Sequence, residues 1–140
     1  MPKSNKLILI SLNELNFDKI DKYISKHKLE CIKKLKQNIV KTQSEKEYEN
    51  LEPWIQWVSI YYGKKAKEHK VKRLGEKIKE NYENIFQTLE KKGFKVGAIS
   101  PMNIFNNLNN PNYFIPDPWT ETTSDKSYWS KLVHSSTSKL

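Results

Sequence analysis

The stretch Leu51-Glu-Pro-Trp-Ile-Gln-Trp-Val-Ser-Ile-Tyr-Tyr-Gly63 carries signals for both ends of a helix. Pro53 suits the first helical position, where its missing amide hydrogen costs nothing, and Gly63 suits the position just after the last turn. Aromatic residues at helical spacing bury large areas against a sheet, so we expect one face of this helix to lie in the core. That face consists of Trp54, Trp57, Val58 and Tyr61.

Two short apolar runs lie on either side of this helix in the sequence, at residues 7–12 and 94–99. A continuous apolar run of this length, bounded by polar residues, is typical of a parallel strand covered on both faces. Parallel strands need a crossover connection, and helical periodicity lies between the two runs. We therefore predict one α/β domain over residues 1–140, with a parallel sheet flanked by helices.

Further helices are indicated before and after the central stretch. Asn16 can cap a helix whose apolar positions continue after a break; these positions are Phe17, Ile20, Tyr23, Ile24, Leu29, Ile32 and Leu35. A second amphipathic pattern, closed by Gly93, predicts the helix that covers the sheet; its apolar positions are Ile78, Tyr82, Ile85, Phe86 and Leu89. Residues 38–42 suit a short strand and residues 43–50 a loop.

The composition changes after Ser100, where asparagine and proline become frequent. This change predicts a long ordered loop over residues 101–125 with scattered apolar anchors. Long loops at the carboxyl ends of parallel strands often carry functional sites, although the same composition also suits a surface connection.

The chain is strongly basic, with a formal net charge of +9 over 140 residues and 36% hydrophobic residues. This charge favours anionic partners and leaves nucleic acid, a membrane surface and phosphate or sulfate esters open. Most of the positive charge is scattered lysine, and Arg73 is the only arginine. Phosphate recognition that depends on geometry tends to use the bidentate fork of arginine, so we expect non-specific attraction to polyanions.

Cysteine usage and hydropathy suggest a cytoplasmic protein. The single cysteine, Cys31, excludes an internal disulfide and favours a reducing compartment. Cys31 lies in an apolar series, so we expect it to be a small core residue. The strongest apolar run, residues 7–12, is too short to span a bilayer.

Asn13 and Glu14 follow the first predicted strand directly. Their side-chain oxygens are suitable ligands for a hard cation or acceptors for a substrate. The alternative is structural: Asn13 forms a turn and Glu14 is solvated. The spacing leaves both interpretations open.

Several longer strings resemble a known superfamily. They are Leu9-Ile-Ser-Leu-Asn-Glu-Leu-Asn-Phe-Asp18, Glu52-Pro-Trp-Ile-Gln-Trp-Val-Ser59, Glu68-His69, Arg73-Leu-Gly75, Ala98-Ile-Ser-Pro-Met-Asn103 and Tyr113-Phe-Ile-Pro-Asp-Pro-Trp119. Together they are similar to the amino-terminal portion of the alkaline phosphatase and sulfatase superfamily, in a little-characterised bacterial branch. The resemblance spans nearly the whole chain, and the two tryptophan-containing strings are its most specific parts.

The resemblance implies a parallel α/β fold whose first strand delivers a metal ligand and whose central helix carries a nucleophile at its amino terminus. Asn13 stands where the superfamily usually has an aspartate ligand, so one oxygen is kept and the charge is lost. Glu14 and Glu52 complete the expected ligand set for a weak divalent-metal site. Pro53 stands where a threonine, serine or modified cysteine is usual, and proline has no nucleophilic atom.

Superfamily members are typically longer and carry further aspartate and histidine ligands in their later half. The resemblance therefore implies the amino-terminal part of a metal-dependent phosphate or sulfate ester hydrolase, truncated or divergent and not active alone. The alternative is a small basic module that binds nucleic acid or an acidic partner. The nucleophile, the substrate, the identity of the metal and the oligomeric state stay open.

Overall fold

The computed structural model describes residues 6–13, 15–40, 42 and 45–137, and the chain divides into two compact units, residues 1–43 and residues 44–140. Among its described residues, the first unit contains α1 (Phe17–His27) and α2 (Glu30–Lys36). The second contains a 3-10 turn (Tyr48–Asn50), α3 (Pro53–Tyr62), α4 (Ala66–His69), α5 (Ile85–Lys91), β1 (Gly97–Ile99), β2 (Tyr113–Ile115) and α6 (Tyr128–Thr137). The single domain over residues 1–140 stays a prediction.

The helix ends of the first unit follow the sequence. The Asn16 side chain accepts a hydrogen bond from the Lys19 amide at 3.0 Å, which caps α1 as predicted. Lys28 adopts the left-handed conformation (φ 51°) and separates α1 from α2 at the predicted break. The prediction that Cys31 is a core residue is wrong, because its side chain is exposed. Neither α1 nor α2 has a buried residue, so the two short helices do not enclose it.

The predicted strand at residues 7–12 is wrong for this structure. Residues 6–13 contain no strand, and Leu7 and Ile8 are 81% and 84% exposed. A parallel strand needs the backbone edge of a neighbouring strand, and the described residues of this unit offer only helices. The short strand predicted at residues 38–42 is likewise not formed by residues 38–40 and 42, and residue 41 lies outside the described residues.

The second unit contains a parallel pair of strands, which confirms the α/β class and the parallel orientation at this coarse level. β1 pairs with β2 in the register Gly97 to Tyr113, Ala98 to Phe114 and Ile99 to Ile115. Ala98 and Phe114 point into the core. β1 forms within the predicted run 94–99, but its partner β2 lies inside the segment predicted as a loop, residues 101–125.

α3 begins and ends where the sequence predicts, with Pro53 in its first turn and Gly63 (φ 62°) at its carboxyl end. Its buried face differs in part from the predicted one. Val58 and Tyr61 are buried as expected, together with Ile55 and Tyr62, and Trp57 packs partly buried against the core. Trp54 is half-buried and donates its indole N–H to the Lys72 carbonyl at 3.3 Å. A polar partner therefore holds Trp54 beside the core instead of inside it.

The core of the second unit draws its side chains from helices, strands and irregular segments. Its buried cluster consists of Val58, Tyr61, Tyr62, Val71, Ala98, Ile104 and Phe114. Only the second part of the helix predicted through residues 78–89 forms, because α5 begins at Ile85 and residues 78–84 are irregular. Asn84 accepts the Gln87 amide at 3.0 Å, and this cap fixes the start of α5. Ile78 and Tyr82 still pack against the core from an irregular segment.

Candidate functional site

The carboxyl ends of β1 and β2 share one edge of the sheet, because the two strands are parallel neighbours. This is the edge at which open α/β sheets bind ligands. The chain turns sharply after β1, where Ser100 (φ 51°) and Asn103 (φ 59°) both adopt the left-handed conformation. After β2 it continues into the buried residues Pro116 and Asp117.

The buried side chain of Asp117 holds the loops at this edge together by hydrogen bonds. Its side chain is 1% exposed, and its carboxylate accepts four hydrogen bonds. Oδ2 accepts the Asn103 amide at 2.7 Å and the Thr120 hydroxyl at 2.6 Å. Oδ1 accepts the amides of Trp119 at 2.8 Å and Thr120 at 2.9 Å. Four donors occupy the lone-pair positions of a carboxylate, so Asp117 serves to fix the loops and has no position left for a metal ion.

Asn103 extends the network to two other segments. Its Oδ1 accepts the Gly75 amide at 2.6 Å, and its Nδ2 lies 3.4 Å from the Arg73 carbonyl and 3.5 Å from the Trp54 carbonyl. Asn103 therefore connects the strand ends with the first turn of α3 and with residues 73–75. We call this group of buried polar contacts the Asn103 network.

Gly75 donates its amide to Asn103 and also lies against the Trp119 backbone. Its backbone has φ 77°, and a Cβ atom at this position would lie 2.7 Å from the Trp119 carbonyl oxygen. Only glycine combines this conformation with so close an approach of two backbones.

The Asn103 network brings together four of the strings that carry the family resemblance. They are Glu52-Pro-Trp-Ile-Gln-Trp-Val-Ser59, Arg73-Leu-Gly75, Ala98-Ile-Ser-Pro-Met-Asn103 and Tyr113-Phe-Ile-Pro-Asp-Pro-Trp119. These contacts were not predicted from the sequence. Asparagine, which tolerates a positive φ, and a proline-flanked aspartate are usable signals for turns, yet nothing in the spacing indicates which turns meet.

A shallow groove borders the same edge. It has a volume of about 530 Å³ and is lined by residues 118–123 together with His134 on α6. Trp119 and Thr120 contribute to the groove, and their amides are the ones that Asp117 binds. The groove therefore rests on the Asn103 network.

Two of the three predicted metal ligands, Asn13 and Glu52, are described by the structure, and they belong to different units. Asn13 is exposed in a bend of the first unit, and Glu14 lies outside the described residues. Glu52 is exposed at the start of α3 in the second unit, where its carbonyl accepts the amides of Ile55 and Gln56, both at 3.0 Å. The gathering of the three side chains into one site stays a prediction. Within residues 6–13, 15–40, 42 and 45–137, no three His, Cys, Asp or Glu side chains form a group that could hold a metal ion.

Ser59 and His69 form a contact that the sequence analysis missed. Ser59 Oγ lies 2.9 Å from His69 Nε2, and the Val71 amide donates to Nδ1 at 3.1 Å. Because Nδ1 accepts a hydrogen bond from the Val71 amide, the neutral ring carries its proton on Nε2. The Nε2–H group then donates a hydrogen bond to Ser59 Oγ. A general base would need the opposite arrangement, with Nε2 accepting from the hydroxyl. The pair therefore lacks the geometry of an activated nucleophile.

Asp125 fixes the segment that follows β2. Its carboxylate accepts the Phe114 amide at 2.6 Å and the Ser127 amide at 2.7 Å, which ties β2 to the start of α6. Burial alone would raise the pKa of the Asp125 carboxyl, but the hydrogen bonds from Ser127, Ser130 and the two backbone amides lower this pKa well below its ordinary value.

Among the described residues, none of the helices is long and apolar enough to cross a membrane. Comparisons of the chain with protein-family models, curated proteins and solved structures gave no match.

Proposed function

We propose that this chain is the amino-terminal part of a metal-dependent phosphate or sulfate ester hydrolase, and that it is not active alone. In this proposal the Asn103 network forms one wall of a cleft for an anionic ester. The supporting observation is that Asn103 connects the carboxyl ends of a parallel strand pair with the first turn of α3. Strand ends and a helix amino terminus together are a common setting for oxyanion binding in α/β proteins.

The amino terminus of α3 contributes attraction for an anion but no nucleophile. The helix dipole favours negative charge at this end, although Pro53 has no amide hydrogen and the Ile55 and Gln56 amides already donate to the Glu52 carbonyl. Pro53 occupies the first turn and has no atom that could attack phosphorus or sulfur. We therefore expect binding of phosphate or sulfate without turnover of their esters.

Phosphate binding is testable by amide chemical shifts in NMR. We expect inorganic phosphate to shift the amides of Trp54 and Ser100, while the amides of α1 stay in place. Sulfate should act at the same residues, because both anions are tetrahedral oxyanions. Shifts scattered over exposed lysines, with none at the strand ends, would contradict the proposed wall. Release of nitrophenol from its phosphate or sulfate ester by this chain would contradict the predicted inactivity.

The metal part of the proposal concerns Asn13, Glu14 and Glu52. Three oxygen-bearing side chains are fewer than the six or more ligands that calcium prefers, so we expect weak binding that water completes. The Asn13→Asp substitution should strengthen this binding, because a full charge replaces a dipole. Calorimetry with Mn²⁺, Zn²⁺ and Ca²⁺ measures the effect.

Asn16→Asp is the matched control for this experiment, because it adds the same charge three residues further on. Asp is also a good helix cap, so α1 should keep its start. We expect tighter metal binding by Asn13→Asp and no change for Asn16→Asp. Equal effects of both substitutions would indicate general charge attraction and would contradict a specific site.

The alternative function is a basic module for nucleic acid or another polyanion. The observation in its favour is a series of exposed cationic side chains that begins just before α4: Lys65, Lys67, Lys70, Lys72, Arg73, Lys77 and Lys79. Part of this charge is neutralised, for example in the pair of Lys70 with Glu80 at 2.9 Å. When lysines of this kind bind phosphates, the nucleic acid releases its counterions, but the lysines do not recognise individual bases. We therefore expect attraction that depends on salt and not on nucleotide sequence.

Titration of one oligonucleotide and its scrambled version at two salt concentrations tests this alternative. Equal affinities that both weaken with salt are expected from non-specific attraction. A clear preference for one sequence at physiological salt would instead support nucleic-acid recognition and weaken the hydrolase proposal.

A further inference from the structure

His69 stands at the start of the segment that reaches the Asn103 network. The side chain is 1% exposed, and both ring nitrogens have partners: Ser59 on α3 and the amide of Val71. Val71 is itself a buried core residue. The four residues that follow Val71 lead to Gly75, whose amide binds Asn103.

This segment also has other contacts with the candidate site. The Lys72 carbonyl accepts the indole N–H of Trp54, and the Arg73 carbonyl lies within reach of Asn103 Nδ2. The Glu76 carboxylate accepts the amides of Lys72 at 2.7 Å and Arg73 at 3.1 Å. Residues 71–76 thus form one hydrogen-bonded loop between His69 and the strand ends, and we call it the 71–76 loop.

The arrangement around His69 tolerates only the neutral ring. Protonation would add a hydrogen to Nδ1, which then faces the N–H of Val71 donor to donor. The ring or the Val71 backbone would have to move, because a buried donor without an acceptor is costly. The 71–76 loop would then lose the hydrogen bond that holds its first residue, Val71, to His69.

We propose that His69 is an acid-sensitive latch, which holds the 71–76 loop against the Asn103 network when neutral and releases it when protonated. The latch regulates the anion-binding wall and in that respect rests on the proposed function. The conformational change itself does not depend on any ligand.

Charged groups around His69 shift the pKa of its ring in opposite directions. Burial is the largest influence and lowers the pKa of the His69 ring, and the positive charge of Lys72 acts in the same direction. The carboxylates of Glu45, Glu80 and Glu68 oppose them. Glu45 is held at the start of α4 by the Ala66 amide, at 3.1 Å. Release is therefore expected on the acid side of the ordinary histidine range.

Amide hydrogen exchange and NMR of the ligand-free chain test the latch between about pH 8 and about pH 5. We expect the protection factors of the Val71 and Gly75 amides to fall together with the titration of His69. Between the ordinary histidine pKa and the lowered pKa of the folded ring, each pH unit of acidification should raise the population of the open form by up to about tenfold, and the increase should level off below the lowered pKa. Amides of α5 should keep their protection factors over the same range.

His69→Asn is the decisive variant, because an asparagine oxygen can accept the amide two residues ahead and does not titrate. Its Val71 and Gly75 amides should stay protected at acid pH. His27→Asn, at an exposed histidine of the first unit, should leave the response of Val71 and Gly75 as in the unmodified chain. Loss of protection in His69→Asn that equals the loss in the unmodified chain would overturn the proposal.

A measurement on the unmodified chain covers the case in which His69→Asn does not fold. The nitrogen chemical shifts of His69 report the tautomer, and we expect the proton on Nε2 at neutral pH. A proton on Nδ1, or protection of Val71 that is constant while His69 titrates, would overturn the latch.

Phosphate titrations at both ends of the pH range separate this inference from the proposed function. Release of the loop at acid pH without any phosphate binding would support the latch and contradict the proposed anion-binding wall. Phosphate binding that is unaffected when the loop opens would keep the wall and reject its regulation by His69.

Discussion

Gly75 lies where two loops of the second unit come closest to each other. Its backbone has φ 77°, and the Trp119 carbonyl occupies the space that a Cβ atom would need. Gly93 has a similar φ of 83° but no atom within 4 Å of the corresponding position. The two glycines therefore separate the cost of backbone conformation from the cost of a steric clash.

We expect Gly75→Ala to lower the free energy of unfolding by at least about 2 kcal/mol, because strain and displacement of the Trp119 backbone add together. Gly93→Ala should cost only about 1 kcal/mol, the strain of the left-handed conformation alone. Urea denaturation of both variants measures the difference. Equal losses would show that the loops adjust freely around Gly75.

Asn84 illustrates how one side chain decides the extent of an element. The apolar positions from Ile78 to Leu89 fit a single helix, but the chain becomes helical only at Ile85. The Asn84 side chain accepts the Gln87 amide, and the Gln87 side chain accepts the Asn84 amide at 3.2 Å. Asn84 is also 1% exposed and hydrogen-bonded to Tyr62, so the cap is part of the core.

We expect Asn84→Ala to lower the free energy of unfolding by about 1–2 kcal/mol, since a cap and a buried partner are both lost. Asn81→Ala is the matched control, because Asn81 is exposed three residues earlier; it should change the value by less than about 0.5 kcal/mol. Thermal and urea unfolding, followed by circular dichroism, compare the two. A similar small effect of both substitutions would mean that α5 does not depend on its cap.

At the scale of the whole molecule, two buried titratable groups give stability a pH dependence. The pKa of His69 is lowered below its ordinary value of 6.5, mainly by burial. The unfolded chain then binds a proton more readily than the folded chain. This stabilisation is fully present above pH 6.5 and is lost as the pH falls through the lowered pKa.

Asp125 makes a second contribution to stability, which is lost at lower pH. Its folded-state pKa is lowered from 3.8, so its contribution is present above pH 3.8 and is lost below it. We expect the urea midpoint to decrease in two steps as the pH is lowered. His69→Asn should remove the first step, and Asp125→Asn should reduce the second, to which glutamates with lowered pKa values such as Glu76 and Glu90 also contribute. A single step that both substitutions leave unchanged would contradict this assignment.

Features that depend on local backbone chemistry could be predicted from the amino-acid sequence alone. Asn16 caps α1, Pro53 begins α3 and Gly63 ends it, all as predicted. Each of these signals acts within one helical turn and needs no distant partner. The run 94–99 also contains a strand, β1, as predicted, although its predicted partner at residues 7–12 does not form.

Contacts between distant segments, in contrast, depend on how the whole chain packs. β1 pairs with β2, three residues between Asn112 and Pro116 that are too short for a periodic pattern to reveal. Asn103 binds Gly75 and Trp54 across 28 and 49 positions of the chain. Such contacts are selected by the packing of a shared core and by the need to pair buried polar groups, and neither is encoded in the spacing of a single segment.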